Sequence, residues 1–173
     1  MTHYSKRVVI AHWLTLLLLI AAFFLGEVAH DARKAVEGPG ATVAEYVAHS
    51  LAGAAVLLLT ILRLFFRKTD GVPAPIGTGL MDKVATGVHH ALYIVLFLLP
   101  VSGMMIVLNS AVGKAILAGD ATLLPRKFSE VPAHDVHEIL VNVLFVLVGI
   151  HIIGALKHQF LMKDGLLSRM WFK

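Results

Sequence analysis

The chain has 173 residues, of which 58 % are apolar and 15 % are Asp, Glu, Lys or Arg, with a formal net charge of +4. Soluble globular proteins average about 45–50 % apolar and about 25 % charged residues. This balance excludes a soluble enzyme, a nucleic-acid binder and a disordered tail, and it predicts an integral membrane protein. Cysteine is absent, which excludes disulfides, thiolate metal sites and any thioether-attached cofactor.

Four uncharged stretches follow one another, at residues 8–26, 46–62, 84–108 and 139–156. About 20 helical residues cross the roughly 30 Å of hydrocarbon in a bilayer. With their flanks, the stretches predict spans at about 8–28, 44–66, 82–109 and 134–158. The expectation is an all-α membrane protein, one domain over residues 1–173, folded as a four-helix transmembrane bundle. Gly38-Pro39-Gly40, Val72-Pro73-Ala74-Pro75 and Pro125 fall between spans and read as loop punctuation. The first span is too long for the apolar core of a signal peptide, and no small-residue cleavage site follows it.

Lys and Arg set the orientation. One side holds Lys6, Arg7, Arg63, Arg67, Lys68, Lys83, Lys157, Lys163, Arg169 and Lys173; the other holds Arg33, Lys34, Lys114, Arg126 and Lys127. Ten against five predicts both termini in the cytoplasm, with two loops outside.

Ionisable residues inside spans mark function, and ten histidines are present. The nearest charges serve as depth markers. His12 lies five residues past Arg7, and His151 six before Lys157, so both sit just inside the cytoplasmic surface. His49 follows Glu45 by four residues, and His137 lies between Asp135 and Glu138, so both sit near the outer surface. Two depth-matched pairs result. His137 and His151 are 14 residues apart, about 21 Å of rise and a net turn of about −40°, so they leave one helix on nearly one face. Paired neutral imidazoles across a bundle suit axial ligation of haem iron, and without cysteine the haem is b-type. Gly53, four after His49, and Gly154, three after His151, leave room on the same helix faces. A single intramembrane His is ordinarily an interhelical hydrogen-bonding residue, but two matched pairs favour ligation. His89 and His90 lie at the depth of His12, and either could replace His151 as its partner. His3, His30 and His134 read as solvated surface groups, and Met104 and Met105 as packing residues. A His-rich zinc or copper transporter is the rival reading; the absence of Asp and Glu from the apolar stretches speaks against it.

These residues resemble bacterial cytochrome b561, the short four-helix di-haem proteins related to the cytochrome b subunits of formate dehydrogenase and nickel–iron hydrogenase. The likeness spans the chain. It is carried by Tyr4-Ser5-Lys6, Ile10-Ala11-His12-Trp13, His49 with Gly53, Ile61-Leu62-Arg63-Leu64 and His137-Glu138-Ile139-Leu140-Val141-Asn142. It is strongest from Gly149-Ile150-His151 through Lys157-His158-Gln159-Phe160 to Lys163-Asp164-Gly165-Leu166-Leu167-Ser168-Arg169-Met170. The resemblance implies two b haems, with His12, His49, His137 and His151 as iron ligands, and electron transfer between an outer donor and ubiquinone. One branch of that family oxidises superoxide to O₂ and reduces ubiquinone; the alternative is an electron-relay anchor for a periplasmic dehydrogenase or hydrogenase.

For superoxide, the outer basic residues must steer an anion. Arg126 and Lys127 are the leading candidates because their loop runs into His137, although the outer segments carry eight acidic residues against five basic ones (Glu27, Asp31, Glu37, Glu45, Asp120, Glu130, Asp135 and Glu138 on the acidic side). For ubiquinone, protons are needed as well as electrons. His158 lies seven residues past His151, about 10 Å further along nearly the same face, and imidazole chemistry suits a proton donor near neutral pH.

Overall fold

A computed structural model describes residues 3–34, 42–75, 77, 79–125 and 131–172. Four long helices dominate it: α1 (Lys6–Lys34), α2 (Ala44–Asp70), α3 (Leu80–Asn109) and α5 (Pro132–Leu156), with a short α4 (Ala111–Ala118) between the last two. α5 runs on into a π-helical turn, Lys157–Met162, and a 3₁₀ turn, Leu167–Met170, lies beyond it. No strand occurs among the described residues. All four long helices have the length and apolar composition to cross a membrane.

Local chemistry sets the helix ends. The Gly79 N–H donates to the Asp82 carboxylate at 2.9 Å at the start of α3, an acidic group where the helix N-terminus favours one. Pro132 occupies the first turn of α5, where a missing N–H costs nothing. α2 stops at Gly71, whose φ of 79° a residue with a side chain resists. Polar side chains inside the spans bond to their own helices: Thr15 donates to Ala11 O at 2.7 Å and Thr60 to Val56 O at 2.8 Å. That is the available solution where no water can serve.

The segment between α3 and α5 was expected to be loop, yet it contains α4. Ser110 accepts from the Val112 N–H at 3.2 Å to start that helix, and Gly119 ends it in the left-handed conformation. Val112, Ala115, Ala121 and Leu124 form a small buried cluster there, against Val43, Tyr46 and Val131. This cluster closes the end of the bundle opposite the termini.

α1 packs along α2, and α3 along α5, with a lesser α2–α3 contact. Large apolar side chains such as Leu17, Phe24, Leu51, Ile94, Val146 and Ile153 point outward, as the surface of a lipid-embedded bundle requires. The termini meet at one end. The Tyr4 N–H donates to Arg169 O at 3.1 Å, the Trp13 indole N–H to Met170 O at 2.9 Å, and the Arg169 guanidinium to Ala74 O at 2.7 Å. Arg7 pairs with Asp70 across α1 and α2. The residues after α5 thereby lie as a cap on the N-terminal segment, the first turns of α1 and the connection after α2.

Candidate functional site

Histidines from opposite helix pairs face one another at two depths. Near the termini, His12 of α1 and His151 of α5 have ring centres 6.2 Å apart and planes at 73°. At the far level, His49 of α2 and His137 of α5 stand at the same 6.2 Å, with planes at 74°. All four rings are half-buried. The structure thus brings together the partners expected from depth.

The far level is built from a repeated device. The His49 ring lies against Gly26 of α1, where an added Cβ would stand 3.1 Å from its Cε1. The ring's Nδ1–H donates to Ala22 O, one turn before that glycine, at 2.8 Å. The His137 ring lies likewise against Gly103 of α3, 3.2 Å from the position of a Cβ, and its Nδ1–H donates to Leu99 O, again four residues before the glycine, at 3.1 Å. A carbonyl only accepts, so in both rings the proton sits on Nδ1 and the Nε2 lone pair is free. Fixing the tautomer through the other ring nitrogen is how metal-binding imidazoles are oriented. Ser102 adds a hydroxyl 3.0 Å from His137 Nδ1.

The spacing behind this device is general. Fourteen residues separate His12 from Gly26, His49 from Arg63, His89 from Gly103 and His137 from His151. Each long helix therefore presents one residue to each level from nearly one face. The far level comprises Gly26, His49, Gly103 and His137; the level near the termini comprises His12, Arg63, His89 and His151.

His89 and His90 part company. The His89 ring approaches His151 at 5.1 Å between centres, and its Nδ1–H donates to Ala85 O at 2.7 Å, although it is exposed, as His90 is. Gly53 and Gly154, expected to make room, face open space, with nothing within 4 Å of an added Cβ. The glycines that touch the rings lie on the facing helices. The His12-to-Gly26 and His89-to-Gly103 spacings are the sequence signal that would have found them.

The other expected residues fall as follows. His158 sits in the π-helical turn, half-buried, and its Nδ1–H donates to Asp164 Oδ2 at 2.6 Å. The Leu166 N–H donates to the same carboxylate at 3.0 Å. His158 as hydrogen-bond donor holds the Asp164 carboxyl below its usual range. Next to this pair is a shallow cavity of about 320 Å³ lined by Gln159, Phe160, Lys163 and Gly165. Arg126 and Lys127 lie outside the described residues, as do the side chains of Arg33 and Lys34. Met104 and Met105 are exposed.

Two imidazole nitrogens bound to one metal at about 2.0 Å each, with roughly 1.1 Å from nitrogen to ring centre, place ring centres about 6.2 Å apart. Both pairs meet that separation, so the residues present fit a metal held between each pair.

Residues 3–173 match a family model described as prokaryotic cytochrome b561. Cytochrome b562 of Cereibacter sphaeroides is 34 % identical, over 96 % of this chain and 94 % of that one. Cytochrome b561 homolog 1 of Escherichia coli is 28 % identical, over 98 % and 97 %. The probable superoxide oxidase CybB of Yersinia pestis is 25 % identical, over 96 % and 94 %. No solved structure matches the chain.

Proposed function

Because the chain belongs to the prokaryotic cytochrome b561 family of membrane b-type cytochromes, we propose that it carries electrons through two b haems, from superoxide at the far end to ubiquinone at the end bearing the termini. The observation that carries this reading is the identical 6.2 Å ring separation in the two pairs. His49 and His137 hold one haem, and His12 and His151 the other. When bound, b haem supplies reversible one-electron chemistry at its iron. The protein's part is to hold and orient. Ala22 and Leu99 carbonyls fix the far rings, Gly26 and Gly103 admit them, and the apolar helices exclude water. His158, braced by Asp164 beside the 320 Å³ cavity, donates a proton to a quinone oxygen as electrons arrive. The Lys and Arg imbalance supports termini on the cytoplasmic side, and the prokaryotic family supports a bacterial inner membrane as their setting.

Superoxide as donor is supported by the Yersinia pestis relative, a probable superoxide oxidase. The relatives at 34 % and 28 % identity are named as cytochromes alone, which favours a second reading, an electron-relay anchor for a periplasmic dehydrogenase or hydrogenase. One preparation separates the two. The purified chain should show two haems in a dithionite-reduced minus oxidised spectrum, and superoxide should then reduce them and, with a ubiquinone analogue present, turn over. Inertness to superoxide assigns the relay. In the oxidase case the rate should fall with salt, and Arg126→Gln/Lys127→Gln should flatten that dependence while haem content stays constant; an unchanged salt slope removes both residues from donor steering.

The glycine device gives a separate expectation. Leucine at Gly103 drives a branched side chain into the His137 ring, and overpacking of this kind costs about 1–3 kcal/mol. Gly103→Leu should lose or spectrally alter the far haem alone, whereas Gly53→Leu, which faces open space, should do so far less. Equal effects at both positions would contradict the device.

A further inference from the structure

The two levels differ in charge. Where α1 and α3 give the far level two glycines, the level near the termini receives Arg63 from α2 and His89 from α3. Arg63 lies close enough to act electrostatically on His12, His89 and His151. Its Nε is buried without a hydrogen-bond partner, as is the hydroxyl of Tyr93 on α3. The guanidinium stands 5.4 Å from the centre of the Tyr93 ring. Among the described residues no carboxylate pairs with Arg63. Arg7 has taken Asp70, and Arg67, one turn on, donates to the Tyr4 hydroxyl at 3.3 Å.

A guanidinium inside a membrane bundle is costly unless an anion answers it. Two neighbouring donors, both buried and both unsatisfied, point one way, because buried donors are bonded in folded proteins. We infer that Arg63 and Tyr93 form an anion site at the level near the termini, and that its ligand is a carboxylate of the porphyrin held by His12 and His151. The inference rests on the haem reading above. Arg63 is suited to the task by its planar, always-charged fork, which matches a carboxylate. Its charge also distinguishes the two haems. A cation beside one iron favours the reduced form there, so electrons run from the far level towards the termini.

The test is a redox titration of both haems in the purified protein, parent against variants, with haem counted in each. Arg63→Gln should shift the reduction equilibrium of the haem near the termini about tenfold towards the oxidised form, about 59 mV for one electron, and leave the far haem where it was. Tyr93→Phe, which deletes only the hydroxyl, should shift the same haem in the same direction by less. Arg67→Gln, whose arginine already has Tyr4, should give less than a third of the Arg63→Gln shift. Selective loss of the haem near the termini in Arg63→Gln, with the far haem kept, also supports the site. If Arg63→Gln loses both haems, Tyr93→Phe and Arg63→Lys decide: unchanged potentials in both overturn the proposal. Unchanged potentials in a two-haem Arg63→Gln protein overturn it directly. If exchange into a lipid-free neutral detergent closes the gap between parent and Arg63→Gln, the anion is a lipid phosphate and the carboxylate assignment is wrong. A parent without haem would instead refute the haem reading itself.

Discussion

Replacing His137 with alanine is expected to leave the protein with one haem in place of two. The His137 ring is held between Gly103 and the Leu99 carbonyl and faces His49 at 6.2 Å. Among the described residues no other imidazole ring pairs with His49, so no second ligand takes over. His49→Ala should have the same effect, and both variants should keep the spectrum of the remaining haem. His12→Ala or His151→Ala should remove the other haem instead. His89→Ala should only shift that haem's band, because the His89 ring stands 5.1 Å from His151, closer than the 6.2 Å of the two facing pairs, and so abuts that ring rather than completing a pair. Haem quantification per chain, with low-temperature difference spectra, reads all five variants. A His137→Ala protein with two haems and unaltered bands would defeat the assignment. Loss of a haem in His89→Ala with retention in His151→Ala would exchange the roles of those two residues.

His158→Ala is expected to slow electron delivery to ubiquinone about a hundredfold, the lower range of what a positioned acid or base contributes, with both haems present and reducible. Asp164→Asn should lower the same rate less, because the imidazole remains but loses the carboxylate that orients it. Stability provides a second readout. The His158 hydrogen bond, seconded by the Leu166 N–H, depresses the Asp164 pKa. A carboxylate so depressed contributes stability that is complete above its ordinary pKa and fades only as pH falls through the lowered value. The parent cap should therefore resist proteolysis equally from pH 5 to 8, and Asp164→Asn should be cut faster throughout that window. A parent whose resistance already falls between pH 7 and 5, or an Asn variant cut no faster than it, would remove the carboxylate from the cap. Unchanged quinone reduction in His158→Ala would remove the proton role while leaving the haem ligands untouched.

Three of the four spans were legible because charge is so costly in hydrocarbon that Arg7, Lys83 and Lys157 mark their ends, while α2 continues past Arg63, whose Nε is buried. The same charges gave the histidine depths, and histidines at equal depth on different helices of one bundle are candidates to face one another. What the sequence concealed follows from physics acting between helices. Room for an imidazole is made by the helix it faces, so reasoning along one helix selected Gly53 and Gly154, while Gly26 and Gly103 touch the rings. The spacing of 14 was noticed in α5, where histidine stands at both ends, and passed over elsewhere because its other ends are glycine or arginine. α4 escaped notice because eight residues are too few for periodicity to stand out from an apolar connection. The cap was invisible for a different reason: its bonds from Tyr4, Trp13 and Arg169 end on backbone carbonyls, which leave no mark in composition.

That cap makes one level depend on contacts far apart in the chain. Tyr4 and Trp13 lie more than 150 residues from their acceptors on Arg169 and Met170. The far pair is complete once α5 begins, at His137, whereas the other pair waits for His151 and its cover for some twenty residues more. The level near the termini therefore draws on more of the chain than the far level does. Removing the residues after α5 should leave all four facing histidines in the chain but take away the acceptors of Tyr4 and Trp13, opening the level near the termini to solvent and proteases.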